Sequence, residues 1–308
     1  MMKTRHIMLL ALLPGLLLAG VKEDVDRLFM QASDGGVKHV DLVQPSKDSL
    51  IAMGDSAAKY LAAKLSSDDA RERHTLVDIY KGIGKVSTPY LVAALNTENE
   101  DQLRTTCGCL AEVKDPNAVP DLFAVAQHES YTVRAEAIIA IGKTGGDDSV
   151  AAEVATWLGD TVDVVRKSAV AALGLIGAQR SLPDLAMALD DESFAVRLTA
   201  RDALTKYGEV ATETVNKLIK QNRSFRLKSL ALRIAGELKL KETLPLVEES
   251  TGNADPLVRG WALWAWGRLR GPGSVERLRS LLVDERDLFV RSQIESTIDY
   301  LTAPAADE

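Results

Sequence analysis

The sequence predicts an all-α, right-handed superhelical solenoid of about eight or nine helical hairpins. Three observations predict it. A Val-Arg signature recurs at nearly constant spacing, each copy carries an apolar stripe of helical period, and Pro and Gly punctuate the copies where helices should start and stop.

The signature is clearest at Val133-Arg134, Val165-Arg166, Val196-Arg197 and Val258-Arg259, with weaker copies at Glu72-Arg73, Leu103-Arg104, Phe225-Arg226 and Val290-Arg291. Anchored on the arginines, the successive intervals are 31, 30, 32, 31, 29, 33 and 32 residues. A degenerate first copy falls around Val43, which sets Met53-Gly54 where Ile83-Gly84 and Ile176-Gly177 stand in their own copies. Counted from the arginine, apolar residues occupy −1, +3, +6, +7 and +10, which share one face of a helix. Position +3 is small (Cys107, Ala137, Ala169, Ala200, Ser229, Ala262), so a neighbouring helix can come close. Asp69, Ser130, Asp163, Ser193, Asp255 before Pro256, and Asp287 are the expected helix starters. Gly84, Gly145, Gly177, Gly208, Gly236 and Gly271 are the expected stops. A shorter second helix opens around Pro89, Pro120, Pro183 and Pro245. One such hairpin cannot bury its stripe alone, so the copies should stack into a continuous array over residues 37–301.

The ends read differently. Lys3, Arg5 and His6 precede an apolar run from Ile7 to Val21, broken by Pro14 and Gly15 and closed by Lys22-Glu23-Asp24. This is the pattern of a secretion signal over residues 1–20, too short to span a bilayer, and it implies a periplasmic or secreted bacterial protein. Cleavage is expected near Ala19 or Gly20, and with Val21 where a lipoprotein box requires Cys, no lasting membrane anchor follows. Residues 21–36 form an expected capping helix with Val25, Leu28 and Phe29 on one side, and residues 302–308 an expected flexible tail.

Composition narrows the function. The 308 residues hold 46% hydrophobic residues and 26% charged ones, which excludes a disordered chain, and two Cys exclude a disulfide scaffold. A net charge of −7 argues against a nucleic-acid binder. Residues 197–279 depart from this balance, with 16 Lys and Arg against 9 Asp and Glu, a local charge of +7. Lys217, Lys220, Arg223, Arg226, Lys228 and Arg233 lie there with no acid between Thr214 and Gly236, a candidate surface for an anionic protein partner. Trp261, Trp264 and Trp266 share one helix. Trp266 at +7 belongs to the core, whereas Trp264 at +5 should face outward with Trp261 at the boundary, a candidate contact for a partner.

The repeated Asp…Val-Arg-x-x-Ala-x-x-Ala-Leu-Gly-x-Ile-Gly…Pro-x-Leu pattern resembles HEAT repeats of the bilin-lyase-like (PBS-lyase-like) subtype. The resemblance implies first helices on a convex side, second helices on a concave side, and a non-catalytic scaffold for protein binding. It also implies an inter-repeat ladder, in which each Asp caps its helix and pairs with an arginine of the neighbouring repeat. Arg104, Arg134, Asp163, Arg166, Arg197, Arg226, Asp255, Arg259, Asp287 and Arg291 are its expected members. The alternative the resemblance carries is a bilin-lyase-like enzyme or chaperone acting on a tetrapyrrole-binding protein.

No cofactor or metal is expected. HEAT-like hydroxylases bind iron through several His-Glu pairs, and this chain has one, His128-Glu129, in a connection before its Val-Arg. Nucleophile elbows, phosphate loops and zinc spacings are absent from the sequence. Cys107 and Cys109 point about 200° apart on a helix, so Cys107 should be packed and Cys109 more exposed.

Overall fold

The computed structural model describes residues 14–36, 40–221 and 224–303, with side chains from residue 20 onward. Residues 1–13 of the expected signal, Arg223, and residues 304–308 of the expected tail lie outside it. The described residues are α-helical with short 3-10 turns and contain no strand, an all-α solenoid of stacked hairpins. Among them, no helix is long and apolar enough to cross a membrane. The chain divides into two compact units, Met1–Thr144 and Gly145–Glu308.

In the first unit, α1 (Pro14–Ser33) packs on α2 (Val40–Met53) and α3 (Asp55–Leu61) through Val25, Phe29 and Ala32. Then follow α4 (Ala70–Ile83), α5 (Thr88–Ala94), α6 (Glu100–Val113), α7 (Val119–Val125) and α8 (Tyr131–Thr144). The long first helices α2, α4, α6 and α8 pack in succession, and the short second helices α5 and α7 pack against the first helix that follows each. Asp69 starts α4 by accepting the N–H groups of Arg71 and Glu72, and Gly84 ends it at φ 75°, a conformation only glycine enters without strain. Leu76, Ile79 and Tyr80 form the buried stripe between these signals.

The sequence placed Cys109 toward solvent, and the structure corrects this. It is fully buried, as is Cys107. With α4 on one flank, α8 on the other and α5 against it, α6 shows solvent only a narrow strip, and position +5 falls outside that strip. Burial pushes the Cys107 thiol up to about 12, helped by the charge of Glu136, and raises that of Cys109 as well. Neither thiol is a nucleophile at neutral pH.

One carboxylate ties three consecutive first helices of this unit together. Glu112 of α6 lies 2.9 Å from Lys81 of α4 and 2.9 Å from Lys143 of α8. Lys47 of α2 likewise meets Asp78 of α4 at 2.6 Å. The hydrogen bonds from Lys143 and Lys81 hold Glu112 at about 2, well below the usual carboxylate range.

The second unit comprises α9 (Asp148–Ala155), α10 (Asp163–Ile176), α11 (Leu182–Ala188), α12 (Phe194–Thr205), α13 (Thr212–Lys220), α14 (Phe225–Glu237), α15 (Leu244–Ser250), α16 (Pro256–Arg270), α17 (Val275–Asp284) and α18 (Leu288–Thr302). Its first helices α10, α12, α14, α16 and α18 again pack in succession, with the Ala169, Ala200 and Ala262 side chains wholly buried. At the end, Val290 and Ile294 of α18 close the core over Leu263 and Leu278.

The register of α14 differs from the sequence reading. Its buried residues are Leu227, Ala231, Leu232, Ile234 and Ala235, which align with Val258, Ala262, Leu263, Ala265 and Trp266 of α16. The anchor of this copy is therefore Lys228, not Arg226, and Ala231 rather than Ser229 takes the small position. The uneven intervals of 29 and 33 residues become 31 and 31. Gly236 is corrected with it, because the helix continues to Glu237 and Gly236 lies inside. A Cβ there would sit 2.8 Å from the Ala265 Cα and 2.5 Å from the Trp264 ring.

Two outcomes follow. Gly236→Ala gains about 1 kcal/mol of helix propensity but forces the α14–α16 contact apart, so urea denaturation should show a net loss of about 1–2 kcal/mol. The Glu112 contribution is complete above the unfolded value near 4.3 and is lost as pH falls through about 2. With Lys81 and Lys143 partly in solvent, it is worth about 1 kcal/mol at pH 7. Glu112→Gln should lose that amount and show a flatter stability profile between about pH 5 and 2.

Candidate functional site

Each anchor arginine folds back on its own entry loop. Arg134 donates to the carbonyls of His128 (3.1 Å) and Glu129 (2.7 Å), Arg166 to Asp160 (2.8 Å) and Thr161 (3.3 Å), and Arg197 to Asp191 (2.7 Å) and Glu192 (2.8 Å). Arg259 donates to Asn253 (2.7 Å) and Ala254 (3.1 Å), and Arg291 to Leu282 (2.8 Å) and Glu285 (3.0 Å). A long helical side chain points toward the helix N-terminus, which brings the guanidinium to carbonyls five and six residues back.

The side chain six residues before the anchor turns the loop. Asp160, Asp191, Asn253 and Glu285 each accept the backbone N–H two residues on, and His128 Nδ1 does the same for Ser130. That work accounts for His128. Among the described residues, no group of three His, Cys, Asp or Glu could hold a metal ion.

The same loop acids receive the arginine of the preceding hairpin. Arg166 meets Asp191 through two hydrogen bonds of 2.8 and 3.0 Å, and Arg259 meets Glu285 through two of 2.9 and 3.2 Å. Burial raises the Asp191 carboxyl, but Arg166 and the Ser193 N–H outweigh this and hold it below its ordinary value, and Arg259 does the same to Glu285.

The expected acid members of the ladder are thereby corrected. Asp255 and Asp287 are N-caps whose carboxylates accept their own helix N–H groups. Asp163 lies inside the first turn, behind the cap Val162, and accepts the Ser193 hydroxyl at 2.8 Å. Arg104 pairs at 3.4 Å with Asp101 of its own helix. The true partners were visible in the sequence as acids six residues before the next anchor, a spacing hidden behind the more familiar capping signal.

Arg226, out of register, leaves the ladder and lines a cavity of about 480 Å³ with Lys228, Ser224, Asn253 and the exposed Phe225. A second cavity of about 470 Å³ is framed by Met187, Leu218 and Leu227 and edged by Lys217. Asp190 and Gln221 belong to both, so the two adjoin. Three of the cations singled out by sequence thus come together: Lys217, Arg226 and Lys228. Lys220 is exposed at the C-terminal end of α13. Lys217 also meets Glu213 at 2.7 Å in an exposed pair, which water screens. Arg233 is not part of the groove, since it pairs with Glu237 at 2.8 Å and stacks 4.8 Å from the Trp261 ring.

The tryptophans are corrected too. Trp264 does not project outward. It is half-buried over Gly236, edge-on to Trp261 at 5.4 Å, with Arg268 at 4.8 Å, and Arg268 in turn lies 4.3 Å from the Tyr300 ring. Trp261 meets Phe289 at 6.0 Å. These rings fill the seams between α14, α16 and α18, because a glycine at 236 leaves a seat that a ring can take. Trp266 is half-buried against the terminal core, with its Nε1 donating to Glu248 at 3.1 Å.

The ladder assignment separates two arginines. Arg166→Ala should lower stability by about 2–3 kcal/mol, because loop carbonyls and Asp191 lose their donor. Arg226→Ala should change it by less than about 0.5 kcal/mol. Equal losses in denaturant midpoint would refute the register.

The comparisons agree with this architecture. The model of HEAT repeats matches residues 88–173, 151–223 and 212–299. Among solved structures, importin beta is similar at a TM-score of 0.56 and 12% identity, over 92% of this chain and 48% of that one. Kap121p is similar at 0.52 and 12%, over 88% and 36%. The CpcE–CpcF complex of phycocyanin lyase from a Nostoc species aligns at 0.40 and 18%, over 79% and 94%. No curated protein matches the chain by sequence. Matched over most of its length by stacked copies of one motif, the chain belongs to the HEAT-repeat family.

Proposed function

We propose that the chain is a non-catalytic scaffold of the bacterial periplasm or exterior, and that it holds an acidic protein partner on the groove of its second unit. One observation carries the reading: three cations converge on two adjoining cavities at the place where the arginine ladder changes register. The loop there, Gln221-Asn222-Arg223-Ser224, holds no acid. The other entry loops of the unit carry Asp160 and Asp163, Asp190 to Glu192, Asp255, or Glu285 and Asp287. Cations in a structural ladder are matched by carboxylates, and here the match is left to a partner. The charged N-terminus followed by an apolar run supports export.

Affinity capture from an envelope fraction tests both parts, using the full chain and its Lys217→Glu/Arg226→Glu variant. The variant should lose the salt-sensitive partners of the parent, with binding weakened on the order of 10-fold or more. An unchanged set of partners with unchanged salt dependence sinks the groove. The exported chain should also appear in that fraction shortened by roughly 20 residues, and a full-length cytoplasmic product sinks the localisation.

A further inference from the structure

The two adjoining cavities differ in chemistry, and the difference specifies a ligand. The first is polar: Arg226, Lys228, Ser224 and Asn253 present donors beside the Phe225 ring, which is 59% exposed. The second is apolar: Pro183, Ala186, Met187, Leu218 and Leu227 form its walls. Met187 stands at its rim 76% exposed, a large flexible side chain that covers nothing of its own chain. Both volumes fall within the roughly 300–1,000 Å³ of small binding sites.

Resting on the docking reading above, we propose that this pair of cavities reads an extended acidic segment of a protein that carries one large aliphatic side chain. That side chain, of Leu, Ile or Met type, enters beneath Met187 between α11 and α13. Carboxylates on one side of it meet Arg226 and Lys228, and one on the other side meets Lys217. Asp190, the one acid among the described lining residues of both cavities, stands on the shared wall. It repels a carboxylate from that wall and accepts a backbone N–H of the segment, so the acids are kept away from the anchor's own position. Charge complementarity selects a discrete segment over a continuous polyanion. The entry loop before the cationic one carries Asp190, Asp191 and Glu192, and the one after it carries Asp255, so a nucleic acid or an anionic bilayer laid across the groove would meet these acids.

The test is selection of a random 12-residue peptide library on the full chain, in parallel with Met187→Asp and Arg226→Glu. Both positions are exposed, and circular dichroism with a thermal scan checks that each variant is folded. The parent should enrich peptides in which Leu, Ile or Met is flanked by Asp and Glu. Replacing that aliphatic residue by Ser in an enriched peptide should weaken binding to the parent about 10-fold, near 1.4 kcal/mol, and to Met187→Asp less than about 2-fold. Arg226→Glu should lose the acidic enrichment. Acidic peptides with no aliphatic preference overturn this inference and leave the docking reading standing. Enrichment without acids, or no enrichment at all, overturns both.

Discussion

The arginine that folds back on its own entry loop is the interaction the rest of the structure leans on. A hairpin-to-hairpin loop leaves backbone carbonyls at the end of one helix without helical partners. In this chain the anchor guanidinium supplies donors to two of them, as Arg166 does for Asp160 and Thr161 and Arg259 for Asn253 and Ala254. Its remaining donors reach the loop acid of the next hairpin, Asp191 or Glu285. Lysine, with a single point of charge, cannot reproduce this planar fork. One side chain thus ends a helix, orders a loop and sets the spacing to the neighbour.

The groove grows out of an exception to that rule. At the start of α14 the anchor position holds Lys228, the entry loop holds no acid, and Arg226 stands two residues early. Cations that elsewhere serve the ladder are turned toward two cavities. The cost is local, because the α14–α16 seam is closed by another device: Gly236 admits the Trp264 ring, and Arg233 and Arg268 stack on the faces of Trp261 and Trp264. The two tryptophans that by composition look like partner contacts belong to this seam.

In the first unit the first helices are tied by other means. Lys81, Glu112 and Lys143 stand 31 residues apart and meet side by side on α4, α6 and α8. The repeat period becomes a row of alternating charge only when successive helices lie in register. The same register buries Cys107 and Cys109, whose thiols are held protonated by the apolar surroundings.

From the sequence alone, the repeat period, the helix faces, several caps and the cationic stretch were legible, because each is written in local spacing: the 3.6-residue stripe, Asp before Pro, Gly after the last turn. What only the tertiary structure decided depends on which neighbour a side chain finds. Arg226 and Lys228 are equally basic and two residues apart, and packing on α16 alone shows which is the anchor. Asp163 and Asp191 are both acids near a helix start, yet one takes a hydroxyl and the other a guanidinium. Cys109 and Trp264 both sit at +5, an outward position for a lone helix. In a stack it is flanked by two further helices, so a residue there is buried by its neighbours rather than by its own hairpin.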